Sequence, residues 1–102
     1  MRHAIATLVL AVSFAQAQAQ EHSFQPGAGF VPDAMTAVAI GVAVLTPIYG
    51  VEKLERQRPF RATLEGANWH VQGSISSAHL GGGAEVWIAR ADARVLRVTH
   101  GQ

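Results

Sequence analysis

The chain has 102 residues, 49% of them hydrophobic, with eight basic against seven acidic side chains and no cysteine. That length bounds it to a single domain, and the near-neutral balance gives no electrostatic footprint for nucleic acid. The lack of cysteine excludes disulfides, thiol catalysis, thiolate metal sites and a cysteine-linked lipid anchor, so core packing alone must hold the fold.

The chain opens on Met1-Arg2-His3, a short basic start, followed by an apolar run over residues 4–15. Two Ala-x-Ala sites come next, Ala15-Gln16-Ala17 and Ala17-Gln18-Ala19, and this is the layout of a secretory signal peptide covering residues 1–19. The apolar run is too short to span a bilayer comfortably. A periplasmic or secreted location is expected, with no stable membrane span after cleavage. Loss of Arg2 leaves a neutral mature chain.

Residues 20–30 mix Gln, Glu, His, Ser, Pro and Gly around Phe24 and Phe30, and read as a flexible linker. The domain proper spans residues 31–102, with Phe30 and Val31 docking at its start. Residues 31–50 carry the one long helix signal. Asp33 is the N-cap, although Thr36 stands where a capping box wants Glu or Gln. At helical spacing Met35, Val38, Ile40, Val42, Val44, Leu45, Ile48 and Tyr49 form a broad apolar arc. The rest of the circumference holds Thr36, Ala39, Ala43, Thr46 and Pro47. Pro47 is expected to end or kink the helix near Thr46, giving about 14 residues. Asp33 and Glu52 bracket too few apolar residues for a membrane span, so a core helix is expected.

Residues 51–58 are charged, with Leu54 as their apolar residue, and read as a short helical turn. From Phe60 the period becomes two. Phe60, Ala62 and Leu64 face inward on a first strand, and Gly66-Ala67-Asn68 turns into a second with Trp69, Val71, Gly73 and Ile75 inward. Residues 76–83 read as a mobile loop ending in three glycines. Ala84, Val86 and Ile88 face inward on a third strand. After a turn at residues 91–94, Leu96 and Val98 face inward on a fourth, over residues 95–99. The sum is an α+β domain: one main N-terminal helix packed on a four-stranded antiparallel meander sheet.

The chemistry-bearing residues are few. Gly81-Gly82-Gly83 is followed by a strand and no Lys-Ser or Lys-Thr, so it reads as a hairpin loop and not a phosphate cradle. His70, His79 and His100 lack the spacing of paired metal ligands on one element, and surface or capping roles are expected. No nucleophile elbow is present, and Glu65 and Glu85 read as solvated strand positions. The reading is no enzyme and no cofactor. The strand inward positions carry no converging polar groups, so a filled core is expected.

Trp87 shares the polar sheet face with Arg61, Glu65, Glu85 and Arg97. It either lies across Arg97, packs under the loop, or serves as an aromatic anchor for a protein partner. Trp87, Arg61, Arg97, Glu85 and His79 are the candidate partner-binding residues.

Val31-Pro32-Asp33, Ala37 with Ile40, Pro47-Ile48-Tyr49-Gly50, Gln57-Arg58-Pro59-Phe60, Leu64, Trp69-His70-Val71 and the terminal His100-Gly101 occur in a recognisable succession. Together they resemble the small immunity proteins with a nuclear-transport-factor-2-like fold found in bacterial polymorphic toxin systems. The resemblance covers residues 30–102. It implies a cone-like fold in which a curved sheet wraps a helix, as in cystatin-like domains. It also implies a toxin partner neutralised by occlusion, without catalysis. Two departures stand out. Ala93 occupies a turn position where Gly is usual, at a cost of roughly 1 kcal/mol if φ is positive. The helix also lacks outward charges. The alternative is a PepSY-like periplasmic binding or protease-regulating module, distinguished by a more open sheet whose terminal His-Gly does not close onto the helix.

Overall fold

A computed structural model describes residues 23–75 and 82–101. Helix α1 (Ala34–Tyr49) and a short α2 (Val51–Glu55) precede four strands: β1 (Arg61–Glu65), β2 (Asn68–Gln72), β3 (Ala84–Ala89) and β4 (Val95–His100). The strands form one antiparallel sheet in the order β1-β2-β3-β4, with α1 packed across it. No helix among the described residues is long and apolar enough to cross a membrane.

Asp33 caps α1 as expected: its Oδ1 accepts the Thr36 N–H at 2.8 Å. That backbone hydrogen bond, with help from the Thr36 hydroxyl, holds the exposed carboxyl below the ordinary carboxylate range. The C-terminus departs from expectation. Pro47 lies inside the helix, which runs 16 residues to Tyr49. Pro47 removes only the N–H that would bond the Ala43 carbonyl, and both residues lie on the exposed side, where water replaces that bond. Thr46 Oγ1 donates to Val42 O at 2.6 Å, and the Gly50 N–H closes the last turn on Thr46 O at 2.8 Å.

The helix face that meets the sheet is the row Ala37, Gly41 and Leu45, all buried. Val38, Ile40, Val42, Val44 and Tyr49 flank it, partly buried. Met35 and Ile48, expected inward, are 82% and 55% exposed. A helix without a polar side gives hydropathy nothing to orient it, so close approach decides. At Gly41 an added Cβ would stand 2.8 Å from Val71 Cγ1, which shows how near the helix axis comes to β2.

The sheet follows period two with three corrections. Leu64, Ile75 and Leu96, all expected inward, are 41%, 49% and 41% exposed. Leu64 sits on edge strand β1, and Ile75 lies beyond the end of β2. Leu96 is displaced by a bulge: Trp87 pairs with Arg97 and Ile88 with Val95, so Leu96 has no partner across the ladder. The segment expected as a loop over residues 76–83 is shorter at its end. The Gly82 N–H bonds Gly101 O at 2.8 Å and the Gly101 N–H bonds Gly83 O at 3.1 Å, which extends the β3–β4 ladder past His100. Residues 76–81 lie outside the described residues.

The β1–β2 turn is Gly66-Ala67, and Asn68 already pairs with Glu65. Ala93 has φ of 67°, the left-handed conformation anticipated for that turn. The core is filled by Val31, Leu45, Leu54, Phe60, Trp69, Val71, Val86 and Ile88. Val31 enters it because its N–H bonds Arg90 O at 3.1 Å and its carbonyl accepts the buried Trp69 Nε1–H at 2.8 Å.

Gly41→Val should destabilise the fold by about 3 kcal/mol in urea unfolding, since the added methyls meet the Val71 side chain with no room to relax. Ala93→Gly should act in the opposite sense, raising stability by about 0.5–1 kcal/mol and with it the melting temperature.

Candidate partner interface on the outer sheet face

One cross-strand row organises the face of the sheet turned away from α1. Thr63, His70, Trp87 and Arg97 are register partners in succession from β1 to β4. The Trp87 indole is therefore flanked on both sides. His70 stacks on it with ring centroids 4.1 Å apart and planes 5° from parallel. From β4, Arg97 Cζ lies 5.0 Å from the ring centroid, within cation–π range. Trp87 is half-buried and in contact with Arg97, one of its expected arrangements.

Two carboxylates hold the stack in place. Glu85 Oε1 lies 2.7 Å from His70 Nε2, and Glu65 Oε2 lies 3.1 Å from His70 Nδ1. Glu65 also accepts the Trp87 Nε1–H at 3.3 Å through its other oxygen. Carboxylates only accept, so both histidine contacts are hydrogen bonds together when both ring nitrogens carry a proton. The result is a ring pair fixed by groups on every strand except the Arg97 side, where a cation covers it.

Of the residues singled out from the sequence, Trp87, Arg97 and Glu85 come together here. Arg61 lies on the same sheet at the exposed edge strand, opposite Gln72 and away from the stack. His79 lies outside the described residues. The residue that sequence reasoning undervalued is His70. Period two placed it outward, but only the register sets it against Trp87.

A second feature lies outside the filled core. A cleft of about 340 Å³ opens between the end of α1, α2 and the far end of the sheet. Tyr49, Lys53, Arg56, Gln57, Ser74 and His100 line it, together with Ile75 and the Gly82–Ala84 backbone. Its polar groups come from α1, α2 and segments at the strand ends, which a list of inward strand positions does not include. Within it Tyr49 Oη and His100 Nδ1 are 3.1 Å apart, so the end of β4 closes onto the main helix. His70 and His100 have separate partners, and among the described residues no three His, Asp or Glu side chains are grouped to hold a metal.

The architecture is an α+β domain with α1 packed on an open four-stranded antiparallel sheet, and the Tyr49–His100 contact joins the end of β4 to the main helix. The model of the NTF2 fold immunity protein family matches residues 36–102, and the chain belongs to that family. Membership implies a toxin partner and a non-catalytic inhibitor. No curated protein and no solved structure matches the chain.

A double-mutant cycle on Trp87→Ala and His70→Ala should return a coupling of about 1 kcal/mol in urea unfolding, the worth of a stacked pair beyond its buried area.

Proposed function

We propose that this chain is an exported immunity protein that neutralises a cognate toxin by occlusion, with the outer sheet face as its contact surface and no catalytic step. The observation that carries the reading is the fixed Arg97–Trp87–His70 row. Tryptophan and arginine dominate interface hot spots, and here both are held in place before any partner arrives, which reduces the ordering cost of binding. Glu85 and Glu65 surround the row with acceptors, and Arg61 adds a cation at the sheet edge. Such a mixed rim suits a polar partner surface. The basic start, apolar run and paired Ala-x-Ala sites favour export, which would place the toxin's action in the periplasm or at the cell wall.

The test is co-expression with the toxin encoded beside the gene. Protection by the wild type is expected, with the chain recovered from the periplasm and beginning at Gln20. Trp87→Ala or Arg97→Glu should weaken the complex by at least about thirtyfold in Kd while leaving the circular dichroism spectrum unchanged. Protection that survives both changes would move the contact surface elsewhere. A chain retained in the cytoplasm would remove the export reading.

A further inference from the structure

The cleft beyond the C-terminal end of α1 has no part in the outer-face reading, and its charge is of one sign. Lys53 on α2 and Arg56 just after it both line the cleft, and none of the lining residues is acidic. Among the described residues the ion pairs are Arg58–Glu55, His70–Glu65, His70–Glu85 and Arg94–Asp92, and neither Lys53 nor Arg56 belongs to one. In a chain of eight basic and seven acidic side chains, two such cations on one concavity are a local excess of positive charge.

The other polar groups of the lining already have partners. Tyr49 Oη and His100 Nδ1 lie 3.1 Å apart, Ser74 Oγ donates to Pro59 O at 2.6 Å, and Gln57 Oε1 accepts the Ala84 N–H at 2.8 Å. These contacts fix the walls and leave the two cations as the charge to be met. Apolar surface comes from the Tyr49 ring and from Ile75, which is 49% exposed. Gly83 keeps the interior open, since an added Cβ would stand 3.3 Å from Gln57 Oε1 and 3.4 Å from Ile75 Cγ1. Sites for small molecules measure roughly 300–1,000 Å³ and combine apolar walls with a few placed polar groups. At about 340 Å³ the cleft fits that description.

We infer that the cleft binds a small organic carboxylate, held by Arg56 and Lys53 through its charge and by Tyr49 and Ile75 through an apolar body. A guanidinium fork matches the two oxygens of a carboxylate, and an ammonium adds a second point charge beside it. The cleft lies on the helix side of the sheet, whereas the Trp87 row lies on the opposite face. Occupancy therefore leaves the outer face free, and the site stands independently of the toxin contact.

Titration of the isotope-labelled chain with sodium benzoate, followed by NMR, tests this. Saturable shifts are expected at the backbone amides of Lys53, Arg56, Gln57, Gly83 and His100, with a Kd at or below about 1 mM. Acetate, which lacks the apolar body, and benzyl alcohol, which lacks the charge, should each bind at least about tenfold more weakly. Lys53→Gln combined with Arg56→Gln should weaken benzoate binding by at least about tenfold. Both side chains are exposed, so the circular dichroism spectrum should not change. Arg94→Gln, which removes a cation from the turn before β4, should leave the affinity unchanged. Shifts that do not saturate up to about 10 mM benzoate overturn the proposal. So does equal binding of benzyl alcohol, or benzoate binding that survives the double substitution. The titration uses no toxin, so its failure is separable from failure of the immunity reading.

Discussion

The architecture depends on the close approach of α1 to β2 at Gly41. With no side chain there, the helix descends until Val71 meets its backbone, and Ala37 and Leu45 on the same row are buried with it. That contact fixes the rotation of a helix whose composition would accept almost any rotation. It brings Leu45 against the sheet and leaves Met35, Ala39, Ala43 and Pro47 outside. The Trp69–Val31 hydrogen bond has a complementary part. It satisfies the one donor of a large buried side chain with the carbonyl of the entry segment, so the chain is tied to the sheet before the helix starts. No polar side chain among the described residues is buried in the core.

The sheet's two faces have divided tasks. The inner face supplies Trp69, Val71, Val86 and Ile88 to the core, and the outer face builds a polar assembly around an aromatic pair. His70 is the hinge of that assembly: it stacks on Trp87 and meets Glu65 and Glu85 through its two nitrogens. Contacts from Glu65, His70 and Arg97 hold the Trp87 ring in one orientation. A floppy tryptophan would lose conformational entropy on binding, whereas this one is already held.

Much of this was legible in the residues. The cap at Asp33, the helical turn carrying Leu54 and four strands at period two follow from local chemistry, and the left-handed position at Ala93 from the family resemblance. The family was legible too, in the succession of short motifs from Val31 to Gly101, and its model matches residues 36–102. Each misreading has a local cause. Pro47 stayed in the helix because its lost bond falls on the exposed side of the last turn. Leu64, Ile75 and Leu96 are exposed because an edge, a strand end and a bulge interrupt the alternation there.

What the sequence determined by itself was the class of the fold and the face to which each central strand residue belongs, since both rest on spacing along the chain. Tertiary structure decided which side of α1 is buried, and it set His70 and Arg97 on either side of Trp87. It also gathered Tyr49, Lys53, Arg56 and His100 around one cleft. The physical reason is that these depend on register and on close approach between segments distant in the chain. Neither has a signature in local periodicity: a one-residue difference in pairing changes every cross-strand neighbour, and a helix uniform in hydropathy is oriented only by the surface it meets.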